Sequence, residues 1–301
     1  MKKTLIAIAI AAVVPAGAMA ASEVRMYGIA DAFIGYQDPD GGASTWGVGS
    51  GGQSTSRWGV DGTEDLGGGL AAVFKFESAL TVDDGSAGGI AFQRRSYVGL
   101  NGGFGELTLG RNYTPLFWVL LGNDAGGMAH TVHDFPGGDN GRWNNGIHYA
   151  GSFGGLKLYG SYAASETGAD DAASVAARFS VGAFGVSLGY QDGDGLSGTG
   201  NQEIKHVGAN ATFGGVKFGV NYIDSDDFGD PRIGISGLVK IGAAGSLLVN
   251  VVDGGQAAGT PDPDMAFQIF YRQGLSKRTN WYAGYIDRTG SELQFGIRHR
   301  F

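Results

Sequence analysis

The chain has 301 residues, with 21 basic and 29 acidic side chains, 57 glycines, 7 prolines and no cysteine. The net charge of −8 argues against nucleic-acid binding, which needs basic patches, and the lack of cysteine excludes disulfides and thiolate metal sites. Glycine weakens a helix by about 1 kcal/mol per site relative to alanine, so this much scattered glycine disfavours long helices.

The N-terminus has the pattern of a secretory signal peptide. Lysines at the second and third positions precede an apolar run over residues 5–14, and Ala18 to Ala20 provides a small-residue cleavage site. The run is too short for a membrane-spanning helix, which needs roughly 20 apolar residues. We therefore expect residues 1–20 to be a cleaved signal peptide and residues 21–301 to form the exported protein.

The exported part is a succession of alternating segments. Between Val216 and Tyr222, for example, apolar residues at even positions alternate with polar or small residues at odd positions. This period of two is typical of strands with one apolar face and one polar face. We predict strands at residues 23–36, 55–63, 70–80, 91–100, 105–112, 142–151, 156–164, 173–182, 186–192, 205–213, 216–223, 232–242, 246–252, 265–274, 279–287 and 292–301.

The connections between these strands favour a barrel over a half-exposed soluble sheet. Every second connection is a tight, mostly glycine-containing turn, such as Gly214-Gly215, whereas the connections between them are long and acidic. Outer-membrane barrels have this asymmetry, with short periplasmic turns and long outer loops. We therefore predict an all-β fold, a 16-stranded antiparallel transmembrane β-barrel with a water-filled lumen.

The longest connection, the third loop at about residues 112–141, is the candidate constriction. It contains the apolar stretch 115–121, which would be poorly soluble on an exposed loop and would be buried if the loop folded inward. An outward loop that packs on another subunit is the alternative. The loop also carries the acids that would face the pore: Asp124, Asp134 and Asp139.

Basic residues on the wall could oppose these acids. A basic side chain on the lipid face near the bilayer midplane costs about 2–4 kcal/mol, so most of them should face the lumen. Arg94 and Arg95 are adjacent, so alternation would point one of them outward, which hints at a subunit interface. The expected basic constriction residues lie within the first six strands and are Arg57, Lys75, Arg94, Arg111 and Arg142.

Enzymatic motifs carry little weight in this chain. Residues 185–189 fit the nucleophile-elbow pattern but lie in an alternating strand, without the strand–helix context that the motif requires. We predict no enzyme, no cofactor and no metal site. The alternatives to a diffusion channel are a substrate-specific channel, a barrel phospholipase or protease, and a structural or adhesive barrel without conductance.

Several blocks of sequence resemble the trimeric general porins of Gram-negative outer membranes, of neisserial and Burkholderia type. The resemblance covers essentially the whole exported chain, and its first and last blocks are the most specific. The matching blocks are residues 24–28, 56–69, 94–115, 144–149, 274–279 and 296–301.

This resemblance implies a homotrimeric diffusion porin for small hydrophilic solutes and ions, embedded in outer-membrane lipid and lipopolysaccharide. It implies that Arg57, Arg94 and Arg142 form an arginine cluster that faces the acids of the third loop. The terminal Phe301 resembles the signal that the barrel-assembly machinery recognises. The first strand departs from some relatives, with Ile29 and Asp31 where those carry a lumenal lysine, so ion preference does not carry over.

Overall fold

A single antiparallel sheet of seventeen strands dominates the computed structural model. It describes residues 22–86, 91–126, 141–165, 171–193, 203–226, 231–253, 265–288 and 290–301. The one helix of these ranges is α1 (Pro115–Asn123). The strands are β1 (Glu23–Pro39), β2 (Thr45–Ser50), β3 (Arg57–Gly67), β4 (Leu70–Ala79), β5 (Arg95–Gly102), β6 (Gly105–Tyr113), β7 (Arg142–Phe153), β8 (Leu156–Ala163), β9 (Ala172–Val181), β10 (Phe184–Gly193), β11 (Glu203–Phe213), β12 (Val216–Ser225), β13 (Arg232–Ile241), β14 (Gly245–Asp253), β15 (Met265–Gly274), β16 (Thr279–Arg288) and β17 (Gly290–Arg300).

The sheet closes on itself because its first and last strands pair. β1 and β17 form an antiparallel ladder from Ile29–Arg300 to Pro39–Gly290. On its other edge β1 pairs with β3 in its first half and with β2 in its second half. β2 and β3 therefore share one position in the barrel, interrupted at residues 51–56. The result is the predicted closed barrel of sixteen antiparallel strands.

The bounds of sixteen strands agree with the sequence prediction to within a few residues. The exception is β2, which was predicted as part of the first loop. Its sequence, Thr45 to Ser50, has two glycines and only two large apolar residues, so its alternation is too weak to separate it from a loop. β2 continues the strand position of β3 toward the end of the barrel that carries the long loops.

The two faces of the barrel differ as the alternation requires. Large apolar side chains on the outer face are exposed, as at Met26, Val98 and Ile235. Continuous exposed apolar surface of this kind is what a protein presents to lipid. The interior face carries buried polar side chains, including Ser187 and Asn221. None of the described helices is long and apolar enough to span a bilayer.

The C-terminal residue completes the seam of the barrel. Phe301 and Gly28 exchange two backbone hydrogen bonds, each 3.1 Å long. A side chain at Gly28 would overlap the ring of Phe301, so the glycine leaves room for that ring. The terminal phenylalanine is thus part of the β1–β17 closure.

Candidate functional site

The third loop enters the barrel as helix α1. Thr114 and Gly141 join the base of the loop, since the Thr114 N–H donates to the Gly141 carbonyl at 2.8 Å. Proline at the start of the helix costs no hydrogen bond, because the first N–H groups of a helix have no partner within it. Leu116, Val119 and Leu120 are buried against the interior side of the wall. The described part of the loop is therefore folded inward, as predicted.

Polar contacts fix the far end of α1 to the wall. The Asn123 side-chain amide donates to Ser187 Oγ at 2.7 Å and to Asn221 Oδ1 at 2.9 Å. One strand further along, the Ala125 N–H donates to Ser236 Oγ at 2.8 Å. These partners lie on β10, β12 and β13, so the helix runs along the inner wall from the β6–β7 side past β8 to β12 and ends beside β13.

The structure places one of the three predicted loop acids. Asp124 follows the last residue of α1, and its carboxylate accepts the Gly126 N–H at 2.9 Å. Asp134 and Asp139 lie outside the described residues. Asp124 is thus on the β13 side of the interior.

Three of the predicted arginines come together on the opposite wall. Arg94 and Arg142 both donate to the Tyr113 hydroxyl, at 2.8 Å and 2.5 Å. Arg57 lies within Coulombic range of both. It also shares the interior face, because it pairs with Ile29, two residues before the interior Asp31. Arg57, Arg94 and Arg142 therefore lie near one another on this wall.

A carboxylate that the sequence analysis missed neutralises part of this cluster. Glu77 accepts a hydrogen bond from Arg94 Nε at 2.7 Å, and both side chains are buried. Tyr27 donates to the other oxygen of the same carboxylate at 2.9 Å. Glu77 alternates with Phe74 and Phe76 on β4, and that pattern could have identified it as an interior acid.

Lys75 faces the interior but stands apart from the arginines. Its ammonium group lies 3.1 Å from the Asp61 carboxylate. It also lies 4.7 Å from the centre of the Tyr27 ring. Asp61 is shared with Arg25, at 3.0 Å, toward the periplasmic end of the same wall. Lys75 therefore belongs to an ion-pair network next to the constriction cluster.

The expectation that Arg94 or Arg95 points outward is wrong. Arg95 donates to Asn112 at 3.0 Å and to the Tyr97 hydroxyl at 3.2 Å, and its guanidinium lies 5.5 Å from the Trp118 ring centre of α1. The regular strand β5 begins only at Arg95, so Arg94 sits in a bend to which alternation does not apply. Both side chains reach the interior.

Arg111 does not join the cluster. It pairs with Ser96 on β5 and shares a face with the exposed, outward Leu109. Its guanidinium donates to the Gln93 carbonyl and, at 2.7 Å, to Asn144 Oδ1. The cost that keeps arginine off the lipid face applies near the midplane, whereas Arg111 lies near the outer end of β6.

A second segment enters the interior where β2 meets β3, and the sequence analysis missed it. Gln53, Ser54 and Ser56 are all buried. The N–H groups of Gln53 and Ser54 donate to one oxygen of the Asp31 carboxylate, at 3.1 and 2.8 Å. The Tyr282 hydroxyl donates to the other oxygen at 2.6 Å. Asp31 thus holds the segment, residues 51–56, against the inner wall.

This inner segment positions two further arginines. Arg57 Nε donates to the Thr55 carbonyl at 2.9 Å. Arg298, on β17, donates to Ser54 Oγ at 2.7 Å. The segment therefore connects the arginine cluster with the basic side of β17. Asp31 supports Arg57 and Arg298 through this segment.

An apolar exterior, a polar interior and an inward third loop define an outer-membrane β-barrel channel. A family model described as Gram-negative porin matches residues 6–292, and the chain belongs to that family. It is an outer-membrane channel for the diffusion of solutes.

Individual relatives agree with this assignment. Outer membrane porin protein 32 of Delftia acidovorans is 41% identical over 207 residues, which are 64% of this chain and 57% of that protein. An outer membrane porin protein of Bordetella pertussis is 29% identical over 100% of both chains. The solved structure of an anion-selective porin from Comamonas acidovorans superimposes with a TM-score of 0.78 at 30% identity, over 93% of this chain and 100% of that one.

Proposed function

We propose that the protein is a passive-diffusion porin for small hydrophilic solutes whose constriction favours anions. The observation that carries this proposal is the convergence of Arg57, Arg94 and Arg142 on one interior wall. Within the described part of the chain, Glu77 is the one carboxylate that forms an ion pair with them. Among the described residues, this wall cluster therefore carries three positive charges and one negative charge.

Excess charge on the wall of a narrow pore selects ions because a passing ion lies too close to that charge for salt to screen their Coulomb interaction fully. The Debye length at physiological salt is about 8 Å, so charges on a constricted wall act on an ion across most of the gap. An anion gains Coulomb energy there and a cation loses it. The relative from Comamonas acidovorans is described as anion-selective, which supports the same preference here.

Reversal potential in planar bilayers tests this proposal. Neutralising all three arginines, as R57Q/R94Q/R142Q, should shift the reversal potential in a KCl gradient toward that of a cation-preferring pore. The control is K205Q, because Lys205 lies at the outer end of β11, exposed and paired with Glu203 at 2.8 Å. Loss of one positive charge there should leave the potential unchanged. An unchanged potential in the triple variant would refute the constriction assignment.

The third-loop acids complete the proposed constriction. We propose that Asp124, together with Asp134 and Asp139, faces the arginines and creates a transverse field. Such a field orients dipolar solutes and filters them by charge and size. The position of Asp124 beside β13, across the barrel from Arg94 just before β5, supports this arrangement.

We further infer a channel without enzymatic activity. The one histidine–serine pair in the described interior is His148 Nδ1 with Ser161 Oγ, at 2.8 Å. The other ring nitrogen of His148 contacts the Gly110 carbonyl, at 3.2 Å, where a catalytic triad would place a carboxylate. Hydrolysis of phospholipid or peptide by the purified protein would contradict this inference.

A homotrimer in contact with lipopolysaccharide is the proposed assembly. Aromatic side chains cluster on the outer face of β3 and β4, where Phe92 lies 5.9 Å from Trp58 and 5.3 Å from Phe76 between ring centres. Packing of such a patch against another subunit would bury it. Sedimentation equilibrium in detergent should give a particle containing three chains, and a monomer would contradict the proposal.

The two ends of the chain carry the proposed signals for export and for membrane insertion. We propose that residues 1–20, which lie outside the described residues, are removed as a signal peptide. We also propose that Phe301 is recognised by the barrel-assembly machinery before it joins the seam with Gly28. Its place at the closing strand pair supports a role late in assembly.

A further inference from the structure

A concave cavity opens at the periplasmic mouth of the barrel, between β12 and β17. Its volume is about 410 Å³. Two short connections and one strand end form its rim: the residues around Gly242 between β13 and β14, Gly274 to Thr279 between β15 and β16, and the end of β17. The constriction cluster lies on other strands, with Arg57 on β3, Arg94 just before β5 and Arg142 on β7. The cavity shares no lining residue with the cluster, and Arg298 connects the two through its contact with Ser54.

Basic side chains dominate the wall of this cavity. Lys217, Lys240, Arg272, Arg298 and Arg300 line it. The strand register places them on the interior face: Lys217 pairs with the interior Leu238, Lys240 with Ser246 and Ser246 with Arg272. Arg298 pairs with Asp31, and Arg300 follows it at the next interior position.

The turn after β15 adds two more positive charges, Lys277 and Arg278. No aspartate or glutamate occurs among the described residues that line the cavity. None of the seven basic side chains forms an ion pair within the described ranges. Asp31, opposite Arg298 in the strand register, offsets part of their mutual repulsion. The remainder is not relieved by an ion pair within the described ranges.

Arg272 and Arg298 in the cavity wall also have N–H donors that a ligand could use. Arg272 Nε donates to Ser246 Oγ at 3.2 Å, which is a neutral partner. Arg298 is buried, and its Nε is among the described buried atoms that have no hydrogen-bond partner. A buried donor without an acceptor is costly, and an anionic oxygen would satisfy it.

We propose that this cavity is a binding site for small multivalent anions at the periplasmic mouth, with phosphate or carboxylate groups as the ligand chemistry. Guanidinium groups bind both kinds of oxyanion with paired hydrogen bonds, and lysines add point charges. A divalent or trivalent solute contacts several of the seven cations at once, whereas chloride contacts few. The site therefore distinguishes multivalent from monovalent anions, which the constriction proposal does not require.

The position of the site makes the two mouths of the channel unequal. The outer connections carry exposed acids, such as Asp38, Asp83 and Asp226. An anion that approaches from outside meets negative charge first, whereas one that approaches from the periplasm meets the basic cavity. Binding from the periplasmic side is thus favoured, and an anion that has passed the constriction is held near the exit.

Blockade by inorganic pyrophosphate tests the proposal on the complete channel. The chain has no cysteine, so D40C labelled with a bulky, membrane-impermeant maleimide identifies the outer face of a channel in a bilayer. Pyrophosphate added on the periplasmic side should reduce chloride current at roughly tenfold lower concentration than pyrophosphate added outside. Equal sensitivity on both sides would overturn the proposal without any cavity variant.

Substitutions then assign the blockade to the cavity. K240Q and R300Q should each raise the half-blocking concentration about tenfold, as expected for one lost charge-assisted hydrogen bond. The control is K157Q, because Lys157 shares the interior face of β8 near a periplasmic turn but does not line the cavity. Heat-dependent mobility on gels reports whether each barrel is folded.

The outcomes separate this site from the constriction. Undiminished periplasmic blockade in folded K240Q/R300Q would refute the site, and so would an equal loss in K157Q. If wild type prefers chloride over potassium but shows no side-dependent pyrophosphate blockade, the constriction proposal stands and the cavity proposal fails. The reverse result would leave the cavity as a site in a channel without the proposed ion preference.

Discussion

At the residue scale, Asp31 is the most consequential side chain that the sequence could not interpret. It is 0% exposed, and three buried donors from Gln53, Ser54 and Tyr282 converge on its carboxylate. Removing the acceptor would leave each donor unsatisfied at a cost of about 1–3 kcal/mol. Asp31 therefore acts on the constriction through the segment that precedes Arg57.

Substitution D31A separates the positioning role of Asp31 from the direct effect of its negative charge on ion preference. If Asp31 acted only as a negative charge near the pore, its loss would increase anion preference. Because its loss also releases residues 51–56 and the contact of Arg57 with Thr55, we expect lower anion preference and more open-channel noise. D61N is the control, since Asp61 holds no such segment, and its loss should increase anion preference. A D31A channel that behaves like D61N would contradict the positioning role.

Single residues were predictable from the sequence only where the strand is regular. Alternation placed Arg57 and Lys75 on the interior face because β3 and β4 are uninterrupted there. It failed at Arg94, which precedes the regular strand. It could not find the contact of Arg111 with Gln93 and Asn144, because side-chain partners in bends depend on tertiary geometry.

At the element scale, α1 sets how much of the interior the third loop occupies. Gly219 lies directly beneath the end of the helix, and a side chain there would overlap the Asn123 carbonyl oxygen. G219A should push this end of the helix toward the pore axis, at an overpacking cost of about 1–3 kcal/mol. We expect a lower single-channel conductance than in wild type.

The neighbouring strand offers a matched control for that change. Gly237 on β13 has open space where a side chain would be added. G237A should therefore conduct like wild type. If replacing a strand glycine by alanine impaired folding in general, both variants would show it. Unchanged conductance in folded G219A would mean that α1 does not border the conducting path.

A strand or helix was predictable from the sequence to the extent that its apolar residues recur with a regular period. The sequence indicated an inward third loop from its apolar stretch but no helix, because Pro115–Asn123 is apolar on most sides and lacks a clear polar face. The inner segment has the glycine- and serine-rich composition of an exposed loop. Its burial depends on Asp31, 20 or more residues earlier in the chain, and local pattern carries no information about such a partner.

At the scale of the whole molecule, period-two patterning and the alternation of short and long connections were sufficient to predict the barrel. A closed sheet removes unpaired edges, which a bilayer does not tolerate, so the strand count and closure followed once the strands were identified. The distribution of charge inside the barrel could not be predicted in the same way, because it depends on which interior residues pair across strands.

The zero-current potential of wild-type channels in a KCl gradient tests the central claim most directly. Arg57, Arg94 and Arg142 retain excess positive charge in the proposed constriction, so chloride should cross more readily than potassium. The dilute side should then become negative. A positive dilute side, or a protein that inserts and folds but does not conduct, would contradict the account.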